Sequence, residues 1–390
     1  MGSAGALGIY HSTAVRTVLR EGGVLGEGVG AAALSARSNR LLARDRTGGL
    51  DLFDVDNRHP EVSWSSLWRA VWYEKYPEPR YVWQTSAASS SFEPKFSLTP
   101  LVFGTLKAAF YAMLFAVPLA LMAAVYSSYF MAPGLRKWLK PTIEMMAAMP
   151  TVILGFLAGL WFAPLLEENL AGFFLVGPVL LAGLVLFAVL RGFLPAYRKH
   201  DAFRGREPLM LLPVIAGLIW LALWLGDPVQ SAFFAGDMRL WLEQEAGISY
   251  DQRNSLVVGL AMGFAVIPII FSLAEDALHD VPASLSSGSL ALGATPWQTL
   301  SRVILPVALP GIFSALMIGM GRAVGETMII LMATGNTPIM DWNVFEGMRT
   351  LAANIAIEMP ESELNSSHYR ILFLSALVLF AFTFVVNTAA

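Results

Sequence analysis

Residues 307–333 read VALPGIFSALMIGMGRAVGETMIILMA, and the only charged residues in this run are Arg322 and Glu326. A helix of about 20 apolar residues is long enough to cross the hydrocarbon core of a bilayer. The run therefore predicts a membrane-spanning helix with two ionisable side chains deep in apolar sequence. Such side chains are costly in lipid and usually mark a functional site or a polar partner.

Six further apolar runs of similar length lie before and after this stretch. The composition indicates a membrane protein, because 56% of the residues are hydrophobic and only 14% are charged, against about 25% charged in soluble domains. We predict an all-α polytopic membrane protein with a transmembrane domain over 96–390. The seven predicted spans are 101–126, 143–165, 172–194, 209–226, 255–274, 307–333 and 371–390.

Basic residues predict the orientation, because Lys and Arg are enriched in the cytoplasmic loops of membrane proteins. Three alternate loops contain nine of them, whereas the opposite loops contain four. We therefore predict a multi-pass membrane protein in which these three loops and the C-terminus are cytoplasmic. Glu275 and Asp276, at the cytoplasmic end of the fifth span, are predicted to be solvated. The nine basic residues are Arg136, Lys137, Lys140, Arg191, Arg198, Lys199, Arg204, Arg206 and Arg302.

Residues 1–95 differ from the rest of the chain because they contain 21 of its 55 charged residues. Short runs at 40–44 and 50–55 flank Thr47-Gly48-Gly49, which predicts a β-hairpin with a glycine turn. The basic-residue pattern predicts that this segment lies outside the cell membrane. We therefore expect the tail of a larger extracytoplasmic domain of β character, preceded by a membrane helix outside this chain. The last span ends at Ala390 without basic residues, so we expect the C-terminus to be shortened as well.

The composition and the motif content exclude several classes of function. A net charge of −3 provides no basic field for nucleic acid. The chain contains no cysteine, and its five histidines are scattered, so neither thiolate chemistry nor a metal site is predicted. It also has no Gly-x-x-x-x-Gly-Lys-Ser/Thr loop for the phosphates of ATP. We predict no catalytic residue, metal or cofactor in this chain.

The stretch before the sixth span, residues 285–306, reads LSSGSLALGATPWQTLSRVILP. It predicts a short helix over 285–292 closed by Gly293, followed by a second helix that Thr295 caps and Pro296 begins. Two short helices held between spans are suited to bind in a groove on a soluble partner. The alternative is an ordinary interfacial linker.

Arg322 and Glu326 lie four residues apart, so on one continuous helix they would share a face and neutralise each other. The planar guanidinium of an arginine can donate two hydrogen bonds to an oxyanion. This predicts that Arg322 contacts an anionic substrate and that Glu326 holds it when no substrate is bound. The alternative is an ion pair that only locks helices together.

Several stretches resemble a known family. Gly293, nine residues and then Val303-x-Leu305-Pro306 resembles the coupling-loop signature of binding-protein-dependent ABC importers, whose permeases are MetI-like. The run GRAVGETM with the following ATGN looks like the PstC and PstA permeases of phosphate importers. Residues 103–106 and 147–155 are similar to the same subfamily. The resemblance covers about 100–390, apart from an extra pair of spans at 172–226, and it implies a PstC-type subunit.

The resemblance implies a permease subunit of the bacterial inner membrane that imports inorganic phosphate by alternating access. It further implies a PstA-like second permease, a PstB-like ATPase that binds ATP and Mg²⁺, a PstS-like extracytoplasmic phosphate-binding protein and contact with membrane lipid. Arg322, Glu326 and Thr327 are the implied substrate-path residues. Ser287-Gly288-Ser289 stands where the family has Glu-Ala-Ala. The implied ATPase-coupling residues are Leu285, Ser289, Ala291, Leu292, Gly293, Ala294, Thr295, Pro296, Leu305 and Pro306.

The residues themselves leave the cargo open, because one arginine does not distinguish between tetrahedral anions. A permease for sulfate, molybdate or another oxyanion is therefore an alternative. An ion-coupled secondary transporter is a second alternative, which would have internal repeats and no docking loop. A membrane-embedded enzyme would need paired catalytic groups at a membrane face, and the sequence offers none.

Overall fold

The computed structural model describes residues 7–21, 29–35, 39–45, 47–55, 59–73, 76–86, 93–193 and 207–390. The chain divides into two compact units, of which the first comprises Met1–Phe103 with Asn354–Leu377 and the second comprises Gly104–Ala353 with Val378–Ala390. The predicted boundary near residue 96 between an extracytoplasmic segment and a transmembrane domain stays a prediction. Four of the predicted cytoplasmic basic residues, Arg198, Lys199, Arg204 and Arg206, lie outside the described residues.

The first unit contains short antiparallel strands. They are β1 (Leu7–His11), β2 (Arg16–Glu21), β3 (Val29–Leu34), β4 (Arg40–Asp45), β5 (Leu50–Asp54), β6 (Trp83–Gln84) and β7 (Lys95–Phe96). The predicted hairpin is confirmed, because β4 pairs with β5 and Gly48 in the turn has φ +96°, which glycine adopts without strain. β3 pairs with the other side of β4. Its glycine- and alanine-rich sequence gives no strand signal.

Helices form most of the remaining chain. They are α1 (Trp64–Trp68), α2 (Thr99–Val125), α3 (Pro133–Ala147), α4 (Thr151–Leu157), α5 (Ala163–Glu168), α6 (Leu170–Phe193), α7 (Glu207–Phe233), α8 (Met238–Gln244), α9 (Ser255–His279), α10 (Ala283–Ala291), α11 (Pro296–Thr299), α12 (Leu305–Gly325), α13 (Met328–Ala333), α14 (Leu351–Glu358) and α15 (Ser367–Ala389). Turns of π-helix at Tyr126–Phe130, Ala158–Phe162 and Leu300–Ile304 extend or join neighbouring helices.

Seven stretches of the described chain are helical, long and apolar enough to cross a membrane, in agreement with the prediction. They are Thr99–Phe130, Thr151–Glu168, Leu170–Leu190, Met210–Phe233, Ser255–His279, Pro296–Gly325 and Ser367–Ala389. The second span starts later than the predicted 143–165. Residues up to Ala147 belong to α3, and α4 begins after the extended Pro150. A proline has no N–H to continue a helix and disfavours helical backbone at the residue before it, here Met149.

Small residues allow the spans of the second unit to pack closely. One face of α2 presents only alanines to the core, all fully buried. Gly259 and Gly263 of α9 lie against this helix, and a Cβ at Gly263 would be 3.2 Å from the carbonyl oxygen of Ala112. Such approach of backbones is typical of packed membrane helices. The buried alanines are Ala108, Ala112, Ala116, Ala120 and Ala124.

The predicted extra pair of spans forms a helical hairpin of α6 and α7. Its two helices touch at glycines, because a Cβ at Gly226 would lie 2.8 Å from the Cα of Gly172. Most other side chains of the pair are exposed, for example Leu181, Leu186 and Trp220. Apolar side chains exposed along a span are in their favoured solvent when that solvent is lipid.

Candidate functional site

The predicted sixth span, residues 307–333, is interrupted at its two charged residues, Arg322 and Glu326. α12 ends at Gly325, Glu326 has extended backbone with φ −69° and ψ 129°, and α13 begins only at Met328. The prediction of one continuous helix over 307–333 is therefore wrong. Three glycines at 319, 321 and 325 weaken the helix here, because glycine costs about 1 kcal/mol relative to alanine in a helix interior.

This interruption separates the side chains of Arg322 and Glu326. Arg322 lies in the last turn of α12 and is exposed, whereas Glu326 is half-buried beyond the helix end. Among the described residues, neither side chain makes a hydrogen bond or an ion pair. The predicted sharing of one helix face is wrong, because the helical geometry stops between the two residues. A cation at the C-terminus of a helix is favoured by the helix dipole, and Arg322 occupies such a position in the last turn of α12.

The turn that carries Arg322 lies beside a polar residue of the last span. A Cβ added at Gly321 would collide with the side-chain oxygen of Asn387 on α15. Asn387 was missed by the sequence analysis, although it is an isolated amide in an otherwise apolar run. Polar side chains within spans commonly face other helices or a polar path.

The short helix after the interruption is fixed by the second span. Gly155 and Gly159, one turn apart, lie against the backbone of α13. A Cβ at Gly155 would lie 2.8 Å from the carbonyl oxygen of Met328, and one at Gly159 would collide with that of Met332. Two small residues at this spacing allow helices to approach closely. The stretch 147–155, which resembles the phosphate permeases, thus supplies part of the surface that positions α13.

An irregular segment, residues 334–350, follows α13 and is held by hydrogen bonds. Thr334 Oγ1 donates to the carbonyl of Met348 at 2.6 Å and accepts from its N–H at 3.3 Å. Two residues of α2 also bind the segment, because Lys107 Nζ donates to Asn343 O at 2.8 Å and Tyr111 OH donates to Trp342 O at 2.6 Å. Irregular backbone near a membrane needs such internal partners.

Lys107 is a structural residue that the sequence analysis missed. It is fully buried, with 0% of its surface exposed. A lone lysine in the first span was its only sequence signal. Gly104 and Thr105, in the motif at residues 103–106, also contact the chain near the end of this segment. A Cβ at Gly104 would collide with the carbonyl of Arg349, and Thr105 Oγ1 accepts a hydrogen bond from Leu351 N at 3.0 Å.

The predicted coupling segment, residues 285–306, has the predicted helix–corner–helix form. α10 closes at Gly293, whose φ is +87°. The N–H of Gly293 donates to Leu290 O at 3.0 Å and that of Ala294 donates to Ser289 O at 3.2 Å. This pair of bonds is the Schellman motif, which satisfies the last carbonyls of a helix.

The second short helix of this segment starts as its sequence predicts. Thr295 Oγ1 accepts from the N–H of Gln298 at 3.2 Å, and the Gln298 side chain accepts from the N–H of Thr295 at 2.9 Å. This reciprocal capping box fixes α11. Ser289 and Thr299 join α10 to α11 through their hydroxyls at 3.0 Å. Two apolar side chains stay outside, with Leu292 92% exposed and Trp297 65% exposed.

An ion network connects α3 to the end of α9 that leads into α10. Glu275 is 0% exposed and binds Arg136 at 2.5 Å and Lys140 at 2.9 Å, and Lys140 also binds Asp276 at 2.5 Å. The prediction that Glu275 is solvated is wrong, since α3 covers it. Partial burial acts to lower the pKa of Lys140, but the hydrogen bonds with Asp276 and Glu275 outweigh it and raise that pKa.

Comparison with known proteins identifies the family of this chain. Residues 116–390 match the family described as binding-protein-dependent transport system inner membrane component. The chain belongs to this family. Its resemblance to MetI-like permeases is thereby confirmed, and it is a multi-pass inner-membrane permease subunit of an ABC importer, which is a transporter component and not itself an enzyme.

Individual relatives in this family are distant. The probable ABC transporter permease protein YqgH of Bacillus subtilis is 24% identical over 293 residues, which cover 75% of this chain and 70% of that protein. The phosphate transport system permease protein PstC 1 of Mycobacterium bovis is 27% identical over 294 residues, with the same two coverages. A solved bacterial ABC transporter that imports the acidic polysaccharide alginate superposes with a TM-score of 0.42 and 13% identity, covering 75% of this chain and 77% of that one.

The described residues contain neither a nucleotide-binding loop nor a group of three or more His, Asp or Glu side chains able to hold a metal ion. What they contain is an interrupted span, a capped pair of short helices and a buried ion network. The roles predicted for Arg322, Glu326 and Thr327 stay predictions.

Proposed function

We propose that this permease subunit imports inorganic phosphate by alternating access, and that Arg322 contacts the anion during its passage. The observation that carries the proposal is an exposed arginine without a described partner, at the point where the sixth span loses its helical hydrogen bonding. Arg322, Glu326 and Thr327 are the proposed substrate-path residues.

The energetics of an arginine within a span support this role. Placing an arginine at the centre of a membrane helix costs about 2.5 to 3.5 kcal/mol on insertion scales, which is an upper bound for Arg322 in the last turn of α12. A self-contained ion pair with Glu326 would offset that cost, and the described structure contains no such pair. A passing oxyanion offers the same compensation through charge-assisted hydrogen bonds.

The interruption at Glu326 and Thr327 supports an ion path as well. Transporters commonly bind their substrates where a membrane helix is discontinuous, because the free backbone groups there can contact the ligand. Thr327 adds a hydroxyl, which donates to Gly325 O at 3.4 Å and is able to exchange this long bond for one to an anion. Glu326 would then hold Arg322 in the empty state only after a change in backbone conformation.

Coupling to ATP hydrolysis is proposed at residues 285–306. The exposed Leu292 and Trp297 give this segment an apolar surface beside a corner that two capping motifs hold. A preformed helix with apolar anchors is suited to bind a groove on a soluble protein. The proposed partner is a PstB-like ATPase, which would bind ATP and Mg²⁺.

The remaining partners and the orientation are proposed from the family and the charge pattern. A PstA-like permease would enclose the other half of the path, and a PstS-like protein would deliver phosphate on the periplasmic side. Residues 1–95 would then be periplasmic and the C-terminus cytoplasmic. Phosphate as the cargo is supported by relatives named phosphate transport system permease protein, whose identity to this chain is modest.

The test is uptake of labelled phosphate by the assembled transporter in proteoliposomes. Arg322→Gln is expected to lower the rate at least tenfold, and Arg322→Lys to retain part of it, because the charge remains but the planar donor pair is lost. The control is Arg253→Gln, which removes another exposed arginine of the same unit. Wild-type uptake by Arg322→Gln would reject the proposed role.

The same preparation distinguishes the alternatives. Phosphate as the cargo requires that excess phosphate competes with labelled phosphate far better than sulfate or molybdate does. Preferential competition by sulfate or molybdate would assign another oxyanion. Uptake that proceeds without ATP and depends on an ion gradient would indicate a secondary transporter.

A further inference from the structure

A second cationic site lies in the first unit. A pocket of about 390 Å³ is lined by side chains from the β1–β2 region, from the segment before α1 and from the start of α15. We propose that this pocket binds a phosphate group, either free inorganic phosphate or the phosphate of a lipid headgroup. Its lining residues are Arg16, His59, Val62, Ser367, Arg370 and Ile371.

Arg16 is positioned by backbone carbonyls and not by an acid. Its NH1 group donates to His59 O at 3.0 Å and to Val62 O at 3.2 Å. These two bonds fix the plane of the guanidinium, and no acidic side chain of the described residues binds it. A fixed guanidinium loses less freedom when it binds a phosphate, so it binds more tightly than a mobile one.

His59 closes the pocket from a strained backbone position. Its φ is +55°, a left-handed value that is uncommon for residues other than glycine. This conformation brings the ring Nδ1 to 2.5 Å from Ser367 Oγ, at the first residue of α15. The imidazole and the hydroxyl together add polar groups that can donate to phosphate oxygens.

Arg370 provides the second cation. It lies one turn into α15, it is exposed, and within the described part of the chain its guanidinium makes no hydrogen bond or ion pair. The positive end of the dipole of this helix adds to the same field. Among the described residues no Asp or Glu lines the pocket, so an anion placed there meets two arginine charges that no described lining residue neutralises.

Four other arginines of the described chain show the alternative arrangement. Arg40 binds Asp54, Arg80 binds Glu78, Arg136 binds Glu275 and Arg239 binds Glu167. In each of these pairs a carboxylate occupies the place of an anionic ligand. Arg16 and Arg370 share a concave pocket without such a carboxylate, and this is the chemistry that recognises phosphate.

The position of the pocket makes both phosphate sources chemically reasonable. α15 continues from Arg370 into a membrane span, so lipid headgroups are at hand at this end of the helix. The volume exceeds that of one phosphate group and leaves room for water or for the ester-linked part of a headgroup. Phosphate binding at this pocket would be independent of the transported anion and of Arg322.

The test is equilibrium binding of radiolabelled inorganic phosphate to the purified full chain in detergent. Arg370→Gln is expected to weaken binding about tenfold, since it removes a charge-assisted contact, and Arg16→Gln to do the same. Arg80→Gln is the matched control, because it removes an exposed arginine of the same unit that already has an acidic partner. Arg322→Gln is expected to retain this binding event, which separates the pocket from the proposed substrate path.

A second arm tests the lipid source. The chain is reconstituted in nanodiscs of phosphatidylglycerol with phosphatidylcholine, and the retained lipid is counted by native mass spectrometry. Loss of one retained phosphatidylglycerol in Arg370→Gln, with the control unchanged, assigns a headgroup site. If Arg370→Gln matches the control Arg80→Gln in both phosphate binding and lipid retention, the proposal is overturned. A defect confined to binding of the extracytoplasmic binding protein would also overturn it, because the pocket would then be a protein-docking surface.

Discussion

Gly155 and Met328 lie so close that a methyl group on the glycine would be 2.8 Å from the carbonyl oxygen of the methionine. This contact joins the start of the second span to the start of α13, directly after the interruption of the sixth span. The position of the interruption therefore depends on the absence of a side chain in another helix.

Substitution of Gly155 is expected to move α4 and α13 apart. Gly155→Ala should destabilise the protein by about 1 to 3 kcal/mol, the usual range for overpacking, and lower its thermal unfolding midpoint in detergent. Gly217→Ala in α7 is the matched control, since nothing lies within 4 Å of a Cβ there. An unchanged midpoint for Gly155→Ala would contradict the contact.

Removal of the Glu275 charge is expected to weaken the contact between α3 and α9. Glu275→Gln leaves Arg136 and Lys140 without their buried partner. Because both cations are partly exposed, we expect a loss of about 1 to 2 kcal/mol, less than for a fully buried pair. Asp276→Asn, at a 55% exposed position, should cost less, as measured by unfolding free energies in detergent. Equal losses for the two variants would indicate that burial of Glu275 contributes nothing.

Loss of the Lys107 ammonium is expected to release the segment 334–350. Lys107→Met keeps the apolar stem and leaves Asn343 O without its donor, which should cost about 1 to 3 kcal/mol. Tyr111→Phe removes a bond to Trp342 O at a less buried position and should cost less. Hydrogen–deuterium exchange of residues 334–350 should accelerate in Lys107→Met. Unchanged exchange there would show that the lysine does not hold the segment.

The corner between α10 and α11 is expected to depend on Gly293. Gly293→Ala forces a side chain into φ +87°, which costs about 1 to 2 kcal/mol. Amide exchange across residues 283–299 should therefore accelerate. Gly288→Ala, inside α10 where a Cβ meets nothing within 4 Å, should slow exchange or leave it unchanged, because alanine favours helix. Faster exchange in both variants would mean that the corner is not the weak point.

Ionisation of Tyr73 is expected only at high pH. Burial, followed by the charge of Glu93, raises the pKa of Tyr73 to about 12 from its ordinary 10.0. The folded state therefore keeps its proton where the unfolded state loses it. This contribution to stability is complete below pH 10 and is lost as the pH rises toward about 12. Ultraviolet difference titration of wild type against Tyr73→Phe measures it, and a difference signal centred near pH 10 would contradict the burial.

The sequence was sufficient to predict the seven spans and the corner between α10 and α11. Span number follows from the length of apolar runs, which is a property of the sequence alone. The corner was predicted in detail because Gly293 and Thr295 act on their own immediate backbone. Local chemistry of this kind does not depend on the rest of the fold.

Features that depend on distant residues were missed or mistaken. The pairing of Arg322 with Glu326 assumed a continuous helix, and the interruption that prevents it is stabilised by Gly155 from another span. The partners of Lys107 and Glu275 lie more than one hundred residues away in the chain. No periodicity or motif in a single sequence identifies such contacts.

The interruption after Gly325 also has a mechanical meaning. A continuous helix would transmit a displacement at its base along its full length as a rigid rod. With two residues of non-helical backbone between α12 and α13, a displacement at the base of α12 can tilt this helix while α13 remains seated on the second span. Glu326 and Thr327 would be the hinge of this tilt. They lie close to Arg322 in the chain, so the tilt would change the surroundings of that side chain.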